Sequence, residues 1–244
     1  MECSANLRNA IEGLYAAFSN YALPKYTDPC LHCHSLEDEA KLRTAPLREI
    51  DFDHLRDYAV DALLVWGDVP AFKHFLPRIF ELFVSTPDAA IVFADPEIMF
   101  SKFRHAAWRT WPTEEQSAVE AFLWQVWEEV LGQPPEDGSF ADVESWLCSI
   151  AQCEEDMDRY LHSWIEDERF SACLALSSFL LTSAVARTGS TGRNAFWQGR
   201  DTQYAQVQQW ATTTAVTDKM RLAEMRWAGT DAANEFAMAR SIAS

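Results

Sequence analysis

Cys30-Leu31-His32-Cys33-His34 places two thiols and two imidazoles within five residues, the densest group of soft, metal-competent side chains in the 244-residue chain. Three chemistries fit such a group. Two thiols followed by His match the Cys-x-x-Cys-His pattern through which haem c is attached and axially ligated. That attachment normally needs export, and Met1-Glu2-Cys3-Ser4-Ala5-Asn6 offers no basic n-region or apolar run to direct it. Two thiolates at this spacing can instead chelate one zinc ion, which makes Cys30, Cys33 and His34 the expected metal set. A closed tetrahedral site needs two ligands beyond the thiols, the third from His34 or His32 and the fourth from Cys3, His54, His74 or a distant Cys, and no second Cys-x-x-Cys supplies them. The third chemistry is a redox disulfide, although no βαβ pattern of the thioredoxin kind surrounds the pair. Zinc is the stronger functional reading of the three. The plainer alternative is a loop whose Cys residues pack as small hydrophobes.

A second group is acidic. Residues 136–168 hold eleven acids (Glu136, Asp137, Asp142, Glu144, Glu154, Glu155, Asp156, Asp158, Glu166, Asp167 and Glu168) against the single base Arg159. A field this concentrated can steer a basic partner, as inhibitors of nucleases do, with Asp142, Glu144, Glu154, Glu155 and Asp158 as the expected contacts. The competing reading is a solvated helical edge. Asp158, His162 and Glu166 recur every four residues and share one helix face, but the acids crowding around them describe a solvated face better than a metal or acid–base site.

No other motif demands catalysis. Gly189-Ser190-Thr191-Gly192-Arg193 lacks the Gly-Lys-Ser/Thr ending and the preceding strand of a phosphate loop, and no nucleophile elbow, His-Glu-x-x-His helix or dinucleotide fingerprint is present. An enzyme with a site between helices stays a third-ranked expectation.

The elements that would position these residues read as helices almost throughout, because apolar residues recur at three- and four-residue spacing. Ser4 caps a first helix reaching about Ser19, with Leu7, Ile11, Leu14, Tyr15 and Phe18 on one face. Two prolines in Asn20–Pro29 then lead into the Cys/His group. A capping box opens a short helix at Ser35, and Asp51 or Asp53 opens one running to Trp66-Gly67. Asp68 caps the next, which Pro77 is expected to break or kink. Ala89–Ala94 reads as a short strand or a turn, and Asp95-Pro96-Glu97 as a helix start leading to about Trp108. Thr113 with Gln116 reads as a cap for a helix ending at Leu131 before Gly132. Phe140–Cys153, Glu155–Ile165, Glu168–Ala186, Asp201–Ala211, Val216–Trp227 and Ala232–Ile242 complete the set. About ten helices in antiparallel pairs, as an irregular bundle or an α-solenoid, are the expected all-α fold. One domain is expected, with a possible subdomain break near residues 132–138.

Whole-chain composition sets further bounds. The 48% hydrophobic and 13% aromatic content is that of a folded protein. A formal charge of −17 opposes phosphate contacts and anionic membranes, so neither nucleic acid nor a membrane is an expected partner, whereas a basic protein is. No uncharged apolar run approaches a membrane span, and residues 170–186, the closest, are too short and too rich in Ser. A cytoplasmic location with mostly reduced Cys is the expectation. Oligomeric state is not readable.

Tyr21-Ala22-Leu23-Pro24, the Cys30/Cys33 pair, Glu37-Asp38-Glu39, Pro46-Leu47-Arg48, Trp66-Gly67-Asp68-Val69 and Phe72-Lys73-His74-Phe75-Leu76-Pro77-Arg78 together carry a resemblance. From Leu14 to Phe83 the chain is similar to an uncharacterised family of bacterial helical proteins. The resemblance implies an all-helical bacterial cytoplasmic protein and no activity. Within the last block, Phe72, Phe75, Leu76, Ile79, Phe80 and Phe83 read as a core stripe. Lys73, His74 and Arg78 read as a basic edge, expected to pair internally with Glu37-Asp38-Glu39 in preference to an anionic ligand. The reading that gathers most of this is a protein-interaction module, immunity- or inhibitor-like, with a structural zinc protein as the alternative. In that alternative a metal at Cys30–His34 would pin the first helix to the Trp66 block.

Overall fold

The computed structural model describes residues 4–86, 94–133, 143–183 and 194–243. Twelve α-helices occupy these residues and no strand does. They are α1 (Ala5–Ala17), α2 (Leu36–Lys41), α3 (Phe52–Asp61), α4 (Val69–Ser85), α5 (Pro96–His105), α6 (Thr113–Gly132), α7 (Val143–Cys153), α8 (Asp158–Glu166), α9 (Phe170–Thr182), α10 (Asp201–Ala211), α11 (Thr214–Arg226) and α12 (Asp231–Ile242). The all-α expectation holds. The expected segment Ala89–Ala94 lies outside the described residues up to residue 93, as do the Gly189–Arg193 loop and most of the 132–138 stretch. The chain divides into two compact units, Met1–Val126 and Trp127–Ser244, so the division falls inside α6.

In the first unit α1 packs against α4, and the expected stripe is fully inside: Phe72, Phe75, Leu76, Ile79, Phe80 and Phe83 are all buried. Each such side chain contributes roughly 1.5–3 kcal/mol on leaving water. That burial explains why Pro77 neither breaks nor ends α4, which is one helix from Val69 to Ser85. The loss of one backbone hydrogen bond is outweighed by apolar surface on both sides of the proline. Thr113 is likewise not a cap. The helix begins on it, the Gln116 N–H reaches Pro112 O at 3.0 Å, and the Gln116 amide donates to Trp111 O at 2.7 Å.

The basic edge of α4 does pair internally, but not with Glu37-Asp38-Glu39. Lys73 Nζ lies 2.5 Å from Glu115 Oε2 and 2.9 Å from the Tyr21 hydroxyl, which itself donates to Glu115 Oε1 at 2.7 Å. His74 Nδ1 donates to Tyr21 O at 2.7 Å, and Arg78 holds Glu81 and Ile50 O. Glu39 belongs to Arg43 and Thr27 instead. A buried ion pair whose every oxygen is hydrogen-bonded fixes the Tyr21–Pro24 connection on α4.

The larger departure is at α3. Its apolar spacing continues through Ala62, Leu63 and Trp66, yet the helix stops at Asp61. Leu63 adopts φ +67°, Leu63 N–H bonds Trp66 O, and Leu64 and Val65 N–H both bond Asp61 O at 3.1 Å. The Trp66 indole is drawn inward to donate to Thr27 Oγ1 at 2.8 Å, a tertiary bond that a continued helix would forgo. Lys102 of α5 donates to Val60 O and Ala62 O, taking up carbonyls freed where α3 ends. Gly67 must be glycine here. At φ +75° an added Cβ would sit 3.3 Å from both Thr27 O and Tyr58 Oη.

In the second unit α12 packs along both α9 and α11. Its core includes a run of aromatic contacts in which Trp164 meets Trp127 edge-on at 5.3 Å and Trp210 face-on at 5.4 Å.

Candidate functional site

The early end of α3 builds the site. The turn Ala62–Trp66 lies antiparallel to Pro29–Cys30, with Pro29 paired to Trp66 and Cys30 N–H donating to Val65 O at 2.8 Å. From that anchor the chain makes one tight turn: both Cys33 and His34 N–H bond Cys30 O at 2.9 Å. The backbone of the cluster is therefore satisfied by backbone, which leaves its side chains free to face outward. Cys30 and Cys33 are both exposed and both free thiols.

The two sulfurs are not equivalent. The nearby backbone N–H groups of His32 and Cys33, with the Cys33 thiol, favour the Cys30 thiolate and lower its pKa from the ordinary thiol value. Cys33, as the donor to Cys30, is pushed upward, and the Asp61 carboxylate adds to that shift. The two shifts run in opposite directions within one turn.

His34 points away from this pair. Its ring stacks on Trp66 with centroids 4.4 Å apart, and its Nε2 lies 2.9 Å from Asp61 Oδ2. Cys30, Cys33 and His34, the expected metal set, are accordingly not brought to one point, and no group of three His, Cys, Asp or Glu suited to a metal occurs among the described residues. The other proposed ligands are placed elsewhere. His54 lies against Asp51 at 2.7 Å, His74 on Tyr21 O, and Cys148, Cys153 and Cys173 are buried in the second unit. Cys3 lies outside the described residues. His32 is exposed beside the thiols. What the arrangement can do with its own atoms is dithiol chemistry.

Sequence reasoning missed the surroundings. The first unit exposes five large hydrophobic side chains among its described residues, and all five flank the turn: Tyr26, Leu31, Leu36, Leu64 and Val65, between 38% and 62% exposed. Leu31 follows Cys30 and Leu64 precedes Val65, the two residues joined by the bond from Cys30 N–H to Val65 O. A signal was available in Leu31 between the two Cys, but Leu64 and Val65 read as positions inside a helix running to Trp66-Gly67.

The acidic group is placed differently. Glu154 is buried, with Oε1 3.1 Å from the Tyr160 hydroxyl that donates to it. Gln203 donates to Glu155 O at 2.9 Å and to its carboxylate at 3.3 Å, and Arg200 reaches Glu155 Oε1 at 3.3 Å and also Glu154 O. Gln206 donates to Asp156 at 2.7 Å and to Asp158 at 2.6 Å. Glu144 accepts from the Trp197 indole at 3.4 Å. Asp142, like Glu136 and Asp137, lies outside the described residues. On α8, His162 and Glu166 pair at 3.1 Å with about 70% of each side chain exposed, which is the solvated face expected of them.

No helix among the described residues is long and apolar enough to cross a membrane. Compared with known proteins, the chain has no significant match to a family model, a curated protein or a solved structure.

Proposed function

We propose that this protein is a thiol–disulfide exchange protein whose working group is the Cys30–Cys33 pair. One observation carries the reading: two exposed free thiols share a single turn, closed by the Cys33 and His34 N–H groups on Cys30 O at 2.9 Å. Cys30, whose pKa is the lowered one of the pair, is the attacking thiolate. It bonds to one sulfur of a substrate disulfide, the substrate S–S bond breaks, and its other half leaves as a thiolate that takes a proton from solvent. Cys33 then gives up its proton and attacks the Cys30 sulfur of the mixed disulfide, releasing the second substrate thiol. The substrate gains two electrons and two protons, and Cys30 and Cys33 lose the same number as their disulfide forms. The reverse sequence returns the pair to the dithiol.

Zinc is the weaker fit, since the turn offers two sulfurs where a closed site needs four ligands and His34 is occupied by Asp61 and Trp66. The test separates the two readings. Reduced protein, purified without added metal, is titrated with glutathione disulfide and quenched with acid, and the mass of the peptide spanning Cys30 and Cys33 is read. Loss of two hydrogens in the intact protein is expected, together with a trapped glutathione adduct on Cys30 in Cys33→Ser and a much slower adduct on Cys33 in Cys30→Ser. An equivalent of bound zinc in the purified protein, with thiols that resist oxidation until it is chelated, would overturn the proposal.

A further inference from the structure

The geometry points to disulfides held in apolar polypeptide, as opposed to small polar disulfides, as the substrate class of the Cys30–Cys33 pair. This inference rests on the exchange reading above and concerns what the turn recognises. Its basis is the placement of Tyr26, Leu31, Leu36, Leu64 and Val65, which are the only large hydrophobic side chains exposed among the described residues of the first unit. An isolated exposed leucine needs no explanation, but a unit whose described residues expose large apolar groups only beside its two thiols does.

The backbone bond between the two turns gathers these residues into a collar. Leu31 stands between the two thiols in sequence, while Val65, next to Leu64, offers the carbonyl that anchors Cys30. Leu36 begins α2 three residues after Cys33, and Tyr26 precedes Pro29 on the other side. These side chains are not held out by strain at their own positions. The left-handed residues of the site are Asp28 and Leu63, and Leu63 is not one of the five. The backbone there is already paired, so the collar's free contacts are apolar surface with sulfur at the centre.

The sulfurs define the occupant. A partner that merely covered apolar surface would have no use for two adjacent exposed thiols. A polypeptide that presents a disulfide flanked by apolar residues satisfies both parts at once, because its side chains cover the collar while one of its sulfurs meets Cys30. The exchange balances as given above, with the polypeptide disulfide as the oxidant. Glutathione disulfide, small and charged, reaches the same sulfurs without covering the leucines. Binding energy from the collar should therefore appear only with the polypeptide substrate.

The probes are a cyclic peptide closed by one disulfide and carrying leucines beside each Cys, and glutathione disulfide. Rates of Cys30–Cys33 oxidation are followed for the native protein, for Leu31→Asn, for Leu64→Asn, and for Leu222→Asn, an equally exposed leucine of α11 in the second unit. The expected result is a Leu31→Asn and Leu64→Asn loss of about tenfold with the peptide, the loss expected when one largely exposed leucine no longer gains an apolar cover. Rates with glutathione disulfide should stay unchanged in both, and Leu222→Asn should change neither. Equal losses with both probes, or no loss with the peptide, overturn the collar while leaving the exchange reading intact. If neither probe oxidises the native pair, the exchange reading falls and the collar inference with it.

Discussion

Two turns of this protein concentrate reactive side chains, and they are built in opposite ways. At Cys30–His34 the backbone is held by backbone, through Val65 O and Cys30 O, and the sulfurs are left outside. At Glu154–Asp158 the side chains do the holding. Glu154 anchors Tyr160, and Arg200, Gln203 and Gln206 of the α10 region wrap the acids from 45 to 50 residues away. Glu154 is buried as a structural acceptor, whereas the Glu155 side chain stays 80% exposed while accepting from Arg200 and Gln203, and both thiols stand exposed on a turn that needs neither of them. Crowding of chemically capable residues therefore says little until it is known whether side chain or backbone carries the local structure.

The largest effect should come from the platform under the thiols. Trp66 is 2% exposed, stacks on His34, meets Tyr58 edge-on and donates to Thr27. Trp66→Ala is expected to cost about 3–5 kcal/mol, the range for removing a large buried aromatic. Denaturant unfolding checks the loss, and preferential alkylation of Cys30 over Cys33 should disappear with it. A turn whose thiol preference survived Trp66→Ala would be shaped by its own residues alone, which would weaken the contrast drawn above.

Much of this organisation was legible in the sequence, and the gaps have physical causes. Helical spacing revealed the all-α class because buried faces such as Phe72–Phe83 repeat at the helical period. The two Cys were legible by spacing. The end of α3 was not, because the periodic signal of Ala62, Leu63 and Trp66 is the same whether they continue a helix or fold back toward Thr27. Nor were the roles of Glu154 and its neighbours, since a run of acids looks solvated until distant Arg and Gln side chains are placed beside it. Local pattern reports periodicity. It does not report partners remote in sequence.

A smaller and more direct contrast compares one residue from each turn. Glu154→Ala leaves the buried Tyr160 hydroxyl without that acceptor and is expected to cost about 1–3 kcal/mol. Cys30→Ser keeps the backbone bonds of its turn and exchanges one exposed small side chain for another, so its effect should stay within about 0.5 kcal/mol. Urea midpoints of the two variants decide the matter. Comparable losses would mean that the Cys30 side chain supports its turn as much as Glu154 supports its own.

The smallest effect concerns the lysine that closes the thiol site from behind. Lys102 is buried with its ammonium on Val60 O and Ala62 O, and burial depresses its pKa to about 8, with nearby Asp61 opposing the shift. The unfolded chain keeps the same proton up to the ordinary lysine value of about 10.4. Below pH 8 both states are charged, and the cost of burying the charge is fully present. Between about pH 8 and 10.4 the unfolded state binds more protons, so the contribution of this residue to stability rises with pH and then levels off. Lys102→Met has no such proton, and the difference in unfolding free energy between native protein and variant should grow by on the order of 1 kcal/mol over that interval, well below the full shift because the carbonyls and Asp61 compensate the charge. Denaturant unfolding of both proteins at pH 7, 8, 9 and 10 reads the difference. Parallel curves would mean that Lys102 keeps an ordinary pKa, and that the end of α3, where the thiol turn is anchored, is held by a lysine no more perturbed than one at the surface.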